Sequence, residues 1–177
     1  MATAFRIAYE ELLRRYAAPL RRLSWSYERD PIAREDLFQE IAIALWTALP
    51  RFRGDSSERT WVYRVAHNTA ISFAARRRRT REREQDVDVM PEPGRDATQE
   101  GDAIVEQQRR QLWRVIHELP IVDRQILVLH LEGLSAHDIE RITGVSDGAV
   151  ATRLTRLRQR LIGQLGDPHA TDRSLKS

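Results

Sequence analysis

The sequence predicts an all-α protein built from two small helical domains with a flexible acidic linker between them. Apolar residues recur at helical spacing in both outer segments, and the alternation typical of strands is absent. A chain of 177 residues is long enough for one domain or two small ones. We predict a first domain over residues 1–83, a linker over 84–106, a second domain over 107–165 and a polar tail over 166–177.

Charge is distributed unevenly along the chain. Residues 1–83 carry 17 basic and 10 acidic side chains (+7), residues 84–106 carry one and eight (−7), and residues 107–177 carry 11 and eight (+3). The middle segment also has two prolines and two glycines, a composition typical of flexible linkers. All basic residues except Lys176 are arginines, whose planar donor groups suit phosphate and guanine. The alternative to nucleic-acid binding is a helical surface covered with salt bridges.

The composition excludes several kinds of chemistry. The chain has no cysteine, which rules out disulfides, thiolate nucleophiles and iron-sulfur clusters. Its five histidines lack the spacing of a zinc-binding helix, and no glycine-rich phosphate loop is present. We therefore expect no enzymatic activity, no cofactor and no metal. No apolar run approaches the ~20 residues of a membrane span and no signal peptide begins the chain, so we expect a cytoplasmic protein without membrane insertion.

The first domain is predicted to contain helices separated by short loops. A helical apolar pattern begins with Phe5, Leu12, Leu13, Tyr16, Leu20 and Leu23, and a second one comprises Leu37, Ile41, Leu45 and Leu49. The second helix begins where Asp30 caps Pro31, and it ends at Pro50. A third helix begins near Asp55, which has the spacing of a capping box with Glu58, and it continues to the arginines at 76–79.

The second domain is predicted to end in a helix-turn-helix motif. Helices are expected over about Ile104–Leu119 and Val122–Glu132. Ser135 caps a short helix that reaches Ile142, Gly144 allows a tight turn, and Ser146 caps a last helix to about Leu165. In such a motif the second helix lies in the major groove of DNA.

The last helix has one polar face and one apolar stripe. The residues expected to face duplex DNA are Ser146, Asp147, Ala149, Thr152, Arg153 and Arg156. Val150, Leu154, Leu157 and Leu161 form the stripe expected to be buried. Glu140 departs from the motif, because a small residue is usual four positions before the glycine of the turn.

Aromatic, basic and amide side chains are interleaved around the start of the third helix. They are Arg51, Phe52, Arg53, Trp61, Tyr63, Arg64 and Asn68, and positions 61, 64, 68 and 72 share one helical face. Aromatic rings stack on unpaired bases at ~1–3 kcal/mol each, so this face suits single-stranded or opening DNA. The alternative is that Trp61 and Tyr63 are core aromatics.

Two sets of motifs follow one another along the chain. The first is Glu35-Asp36-Leu37-Phe38-Gln39-Glu40, Leu45-Trp46, Leu49-Pro50, Phe52-Arg53-Gly54 and the run from Thr60 to Asn68. The second is Leu119-Pro120, Arg124-Gln125, Glu132-Gly133-Leu134-Ser135, Asp138-Ile139, Gly144-Val145-Ser146, Gly148, Val150 and Arg153-Leu154. They resemble regions two and four of bacterial extracytoplasmic-function (ECF, group IV) sigma factors of the sigma-70 family, over about residues 8–80 and 105–163.

This resemblance implies a sigma factor that binds core RNA polymerase and directs it to promoters. It places Asp36, Leu37, Gln39, Glu40 and Trp46 on the clamp helices of the beta-prime subunit, and the second domain at the beta flap. It also implies that the loop from Phe52 to Ser57 and the helix from Arg59 to Ser72 melt the minus-10 element and hold its non-template strand. Asn68 and Arg64 are then candidates for polar contacts beside Trp61 and Tyr63, and the helix-turn-helix reads the minus-35 duplex. An anti-sigma factor is a further implied partner.

Some positions depart from the family pattern. Ser72 replaces a common aspartate, Ala151 a frequent lysine and Ala149 a frequent threonine. A missing phosphate contact at 151 would reduce the salt dependence of DNA binding by about one unit. The competing hypothesis is a stand-alone helix-turn-helix regulator that binds duplex DNA without polymerase.

Overall fold

The computed structural model describes residues 2–84 and 112–165, and every regular element in these two ranges is helical. The helices are α1 (Ala2–Tyr27), α2 (Pro31–Ala48), α3 (Glu58–Glu84), α4 (described over 112–118), α5 (Ile121–Leu131), α6 (Ala136–Thr143) and α7 (Asp147–Leu165), with a 3-10 turn at Leu49–Arg51. The all-α prediction is confirmed. The predicted linker beyond residue 84 and the predicted tail lie outside the described residues.

The ends of the helices follow from local capping. Asp30 Oδ1 accepts a hydrogen bond from the Ile32 amide at 3.0 Å, and Pro31 occupies the first turn of α2 as predicted. The predicted start of α3 near Asp55 is wrong, because Ser57 provides the cap. Its Oγ accepts from the Thr60 amide at 3.0 Å, and α3 then continues beyond the arginine cluster to Glu84.

The helix-turn-helix motif is formed by α6 and α7. Ser135 and Asp138 form a reciprocal capping box at the start of α6, with amide contacts of 3.1 and 3.3 Å. Gly144 ends α6 with φ +76°, a left-handed conformation that glycine adopts without a steric penalty. Ile139 of α6 and Val150 of α7 are both fully buried in the core, while Glu140 is only half-buried.

Two lobes pack directly on one another. The N-terminal lobe is α1–α3 and the C-terminal lobe is α4–α7, and their buried side chains form one continuous core. Trp25 of α1 and Trp113 of α4 have ring centroids 5.4 Å apart. Arg124 of α5 donates to the Ser26 carbonyl at 3.0 Å, and Arg29 donates to the His117 carbonyl at 2.9 Å. The lobes are therefore joined by side-chain packing as well as by the chain between them.

The described ranges lack the features of a membrane span and of a metal site. None of their helices is both long and apolar enough to cross a membrane. Within the same two ranges, no group of three histidine or acidic side chains is arranged to hold a metal ion.

Candidate functional site

One face of α2 carries apolar side chains that the rest of the fold leaves uncovered. Ile32, Asp36, Gln39, Ile43 and Trp46 alternate four and three positions apart, which places them in one line along the helix. Ile32 is 75% exposed, Ile43 65% and Trp46 42%. We call these five residues the α2 outer stripe. Trp46 at its carboxyl end is partly covered, because its indole centroid lies 4.6 Å from the Phe5 ring centroid and 4.8 Å from that of Tyr9.

The structure divides the predicted polymerase-contacting residues into two groups. Asp36 and Gln39 are exposed on the α2 outer stripe, and Glu40 beside them pairs with Arg76 at 2.5 Å. Leu37 is fully buried, so the expectation that it belongs to a partner surface is wrong. It points into the core with Ile41 because it lies on the opposite side of α2. Sequence reasoning missed Ile32 and Ile43, although their spacing relative to Asp36 and Trp46 could have identified them.

The aromatic side chains at the start of α3 are buried in this conformation. Trp61 is 7% exposed and packs on Phe52, with ring centroids 4.9 Å apart. Tyr63 is 1% exposed, and its ring is nearly perpendicular to that of Tyr16, with the two ring centroids 6.4 Å apart. The expectation of an open aromatic face is therefore wrong for the described arrangement, and these rings are core aromatics within it.

Polar side chains from the same segment remain accessible. Asn68 and Ser72 are exposed and Arg64 is half-exposed, so these three residues form the α3 outer stripe. Ser72 Oγ donates to the Asn68 carbonyl at 3.0 Å, within the helix itself. Arg51 and Arg53 are exposed before α3, where Gly54 adopts φ +80°. The part of the predicted single-strand surface that is accessible is thus basic and polar.

The C-terminal lobe covers the start of α3 through two carboxylates. Tyr63 donates its hydroxyl proton to Glu132 Oε2 at 3.1 Å, and Thr60 donates to Asp138 Oδ1 at 2.8 Å. Burial, together with the negative charge of Glu132, raises the pKa of Tyr63, so the phenol remains a donor at neutral pH. Arg22 of α1 also binds Glu132, through Nε at 2.6 Å and Nη2 at 2.9 Å. We call this set of residues the interlobe contact.

Helix α7 presents its polar face to solvent. Ser146, Asp147, Thr152 and Arg156 are exposed, and Ala149 is half-buried. Arg153 differs from them, because its Nη1 donates to Asp123 Oδ1 of α5 at 2.5 Å. The structure therefore brings together most of the predicted duplex-reading residues and places the Arg153 guanidinium against the scaffold.

Comparison with known proteins identifies both lobes. The family model Sigma-70 region 2 matches residues 12–80, and Sigma-70, region 4 matches residues 109–161. The ECF RNA polymerase sigma-E factor of Escherichia coli K12 is 33% identical over 132 residues, which cover 70% of this chain and 69% of that protein. This chain belongs to the ECF sigma factors of the sigma-70 family.

Other similarities of this sigma factor agree with that assignment. The ECF RNA polymerase sigma factor SigM of Mycobacterium tuberculosis is 28% identical over 162 residues, covering 91% of this chain and 79% of that protein. Sigma factor RpoE from Bartonella quintana, solved in complex with the anti-sigma factor NepR, has a TM-score of 0.77 at 20% identity, covering 91% of this chain and 98% of that one. CnrH, solved with the cytosolic domain of CnrY, has a TM-score of 0.64 at 22% identity, with 92% and 90% covered.

The assignment gives each lobe a place in the family. The sigma factor directs RNA polymerase to promoters, with region 2 in the N-terminal lobe and region 4 in the C-terminal lobe. A stand-alone helix-turn-helix regulator would not explain the match to region 2, so that alternative is not favoured.

Proposed function

We propose that the α2 outer stripe is the surface through which this sigma factor binds the clamp helices of the beta-prime subunit. Its alternating four-and-three spacing is the pattern by which one helix packs along others. Exposed apolar side chains grouped with polar ones are typical of protein interfaces. Asp36 adds a negative charge, which suits a protein partner better than a phosphate backbone.

The same proposal gives the α3 outer stripe a role at the minus-10 element. Arg64 and Asn68 are accessible and offer hydrogen-bond donors to phosphates and base edges. Arg51 and Arg53 extend this positive surface toward the preceding loop. Phe52 is half-exposed and packs on Trp61, and the Tyr63 hydroxyl binds Glu132 of the C-terminal lobe. Tyr63 would meet the melted non-template strand once that lobe has moved away, and Trp61 once Phe52 has moved as well.

The C-terminal lobe is proposed to read the minus-35 element as duplex DNA. The exposed face of α7 supplies Ser146, Asp147, Thr152 and Arg156, with the small side chain of Ala149 among them. Arg153 is proposed to support this face from its contact with Asp123. The same lobe is proposed to contact the beta flap of the polymerase.

We also propose that an anti-sigma factor regulates this chain and that it acts in the cytoplasm. The support is that two structural neighbours, RpoE and CnrH, were each solved with a partner protein, named as an anti-sigma factor in the case of NepR. An ECF sigma factor must also act where RNA polymerase is found.

In vitro transcription tests the proposed function. Purified protein is added to core RNA polymerase on fragmented genomic DNA of the source organism, and the RNA starts are mapped. We expect new starts that share an upstream sequence, and none with core polymerase alone. The observation that carries the proposal is the exposed α2 outer stripe. The variant Ile43→Arg, which places a charge on this stripe, is the control and should give no new starts. Tight binding of duplex DNA without polymerase, together with no new starts, would favour the stand-alone regulator.

A further inference from the structure

The corner between α5 and α6 reaches across the boundary between the lobes. Glu132 lies at the end of α5, and its side chain is only 9% exposed. It accepts hydrogen bonds from two nitrogens of Arg22 and from the Tyr63 hydroxyl. A carboxylate this well buried is stable only while its donors are present, so the corner and the N-terminal lobe are held together at this point.

The backbone of the corner is adapted to this close approach. Gly133 has φ +77°, and a Cβ atom at this position would lie 3.1 Å from Arg59 Nη2. A side chain here would be strained by the backbone conformation and crowded by Arg59. Arg141 of α6 also donates to the Asp55 carbonyl at 3.1 Å, beside the loop that leads into α3.

The approach covers the residues that region 2 would present to an unpaired strand. Thr60 is 2% exposed and Tyr63 1% exposed, while Trp61 between them is covered by Phe52 of the same lobe. The oxygens of Glu132 and Asp138 occupy the hydroxyl donors of Tyr63 and Thr60. Carboxylates and DNA phosphates are both negatively charged acceptors, so region 4 and the single strand compete for one surface. The polar face of α7 stays exposed in the same arrangement.

We infer that the interlobe contact of Arg22, Glu132, Tyr63, Thr60 and Asp138 is an autoinhibitory latch, in which region 4 closes the single-strand surface of region 2 while α7 remains open to duplex DNA. The inference rests on the proposed role of the α3 segment at the minus-10 element. It assigns an order to the two DNA contacts, because duplex reading is possible in the closed state and strand capture requires opening.

Charge reversal across the Arg22–Glu132 pair tests the latch in the full-length chain. Arg22→Glu and Glu132→Arg each break the pair, and the double variant restores it with the charges exchanged. The control is Arg14→Glu, which changes the net charge equally from an 81% exposed position on the same helix. Hydroxyl-radical footprinting with mass spectrometry reports the reactivity of Tyr63, and buried Phe73 reports that the domain core is intact.

We expect several-fold higher Tyr63 reactivity in each single variant, with Phe73 unchanged and the double variant returning toward wild type. Equal Tyr63 reactivity in Arg22→Glu and Arg14→Glu would overturn the latch. So would a double variant that stays as reactive as the singles, because a true pair is rescued by exchange.

A second measurement separates the latch from the proposed function. Fluorescence anisotropy measures binding of a labelled, randomised 20-nucleotide single-stranded DNA. We expect Arg22→Glu to bind it several-fold more tightly than Arg14→Glu, although both have lost the same positive charge. If Tyr63 becomes reactive and the double variant closes again, but DNA binding does not differ, the latch stands and strand capture by this part of α3 is disproved.

Discussion

Arg153 and Asp123 connect the recognition helix to the helix behind it. Arg153 Nη1 on α7 donates a hydrogen bond to Asp123 Oδ1 on α5 at 2.5 Å. The Asp123 side chain is 21% exposed and that of Arg153 43%, so the contact is partly shielded from solvent. A charge-assisted contact of this kind fixes the orientation of α7 relative to α5. We therefore propose that the pair positions the face of α7 that is proposed to read duplex DNA.

If Arg153 acts through Asp123, removing either partner has the same effect. We expect Arg153→Ala and Asp123→Ala each to weaken holoenzyme binding to the minus-35 duplex about fivefold, equivalent to ~1 kcal/mol. The double variant should be no weaker than the singles. Electrophoretic mobility shift on a mapped promoter measures this, with exposed Arg158→Ala as the control. A loss of upstream sequence discrimination in Arg153→Ala alone would show instead that Arg153 reads a base.

Ile43 provides a direct test of the polymerase-binding proposal. Placing a charge in an apolar contact leaves it buried without a partner, so Ile43→Arg should weaken core polymerase binding at least ~tenfold. Ile71→Arg is the matched control, because Ile71 is a 44% exposed isoleucine on α3 outside the α2 outer stripe. Fluorescence titration of labelled sigma factor with core polymerase gives the dissociation constants. Equal effects of the two substitutions would remove the stripe from the interface.

Arg64 and Asn68 are expected to act after polymerase has bound. Arg64→Ala and Asn68→Ala should each reduce open-complex formation roughly tenfold, because each removes donors to the separated strand. Core binding should be unchanged. Permanganate reactivity of promoter thymines measures melting, and Arg79→Ala controls for lost positive charge on the same helix. A parallel loss of core binding would indicate that the two residues have only a structural role.

The buried His67 and the half-buried His117 should make the fold sensitive to mild acid. Burial lowers the pKa of His67 from 6.5 to about 4, and burial together with nearby arginines lowers that of His117 to about 4. The Tyr27 hydroxyl forms a hydrogen bond of 2.5 Å with His67 Nδ1, and burial raises the Tyr27 pKa, so the phenol keeps its proton. Between pH 6.5 and 4 the unfolded chain binds more protons than the folded one, so stability falls as pH falls.

We therefore expect the titration of His67 to lower the free energy of unfolding of the wild-type protein by about 2 kcal/mol between pH 7 and pH 5. His67→Gln should flatten this part of the profile, because the group that titrates on unfolding is gone. The exposed His130→Gln should leave the slope as it is. Urea unfolding at a series of pH values measures both variants, and an unchanged slope in His67→Gln would contradict the prediction.

Gly144 and Gly148 form a matched pair in the helix-turn-helix. A Cβ at either position would meet no atom within 4 Å, but only Gly144 has positive φ. Gly144→Ala should therefore destabilise the protein by about 1 kcal/mol through backbone strain alone. Gly148→Ala, inside α7, should stabilise it by up to ~1 kcal/mol. Thermal unfolding distinguishes the two, and equal shifts would show that the turn does not require the left-handed conformation.

Local signals predicted the helices well and the exposure of particular side chains less well. Asp30 and Ser135 each cap a helix as expected, since a cap depends only on residues a few positions away. The cap of α3 was assigned to Asp55 instead of Ser57, where several polar residues compete at neighbouring positions. Periodicity placed Leu37 in the apolar pattern, the family resemblance placed it among the partner contacts, and its burial agrees with the first.

The surroundings of Trp61, Tyr63 and Arg153 differ from the expectation for one reason. Helical spacing tells which residues share a face, but it does not tell which other element covers that face. Trp61 shares a face with Arg64 and Asn68 and is nevertheless buried, because Phe52 lies over it. Tyr63 and Arg153 find their partners at Glu132 and Asp123, 69 and 30 positions away in the chain.

The sequence by itself determined the helical elements, the helix-turn-helix, the absence of thiol chemistry and the family resemblance, because each depends on residue type and short-range spacing. Only the tertiary structure decided that Ile32 and Ile43 are left uncovered and that region 4 closes over the start of α3. Exposure and contact across the lobes depend on how separate helices pack, and many packings are compatible with the same helical periodicity.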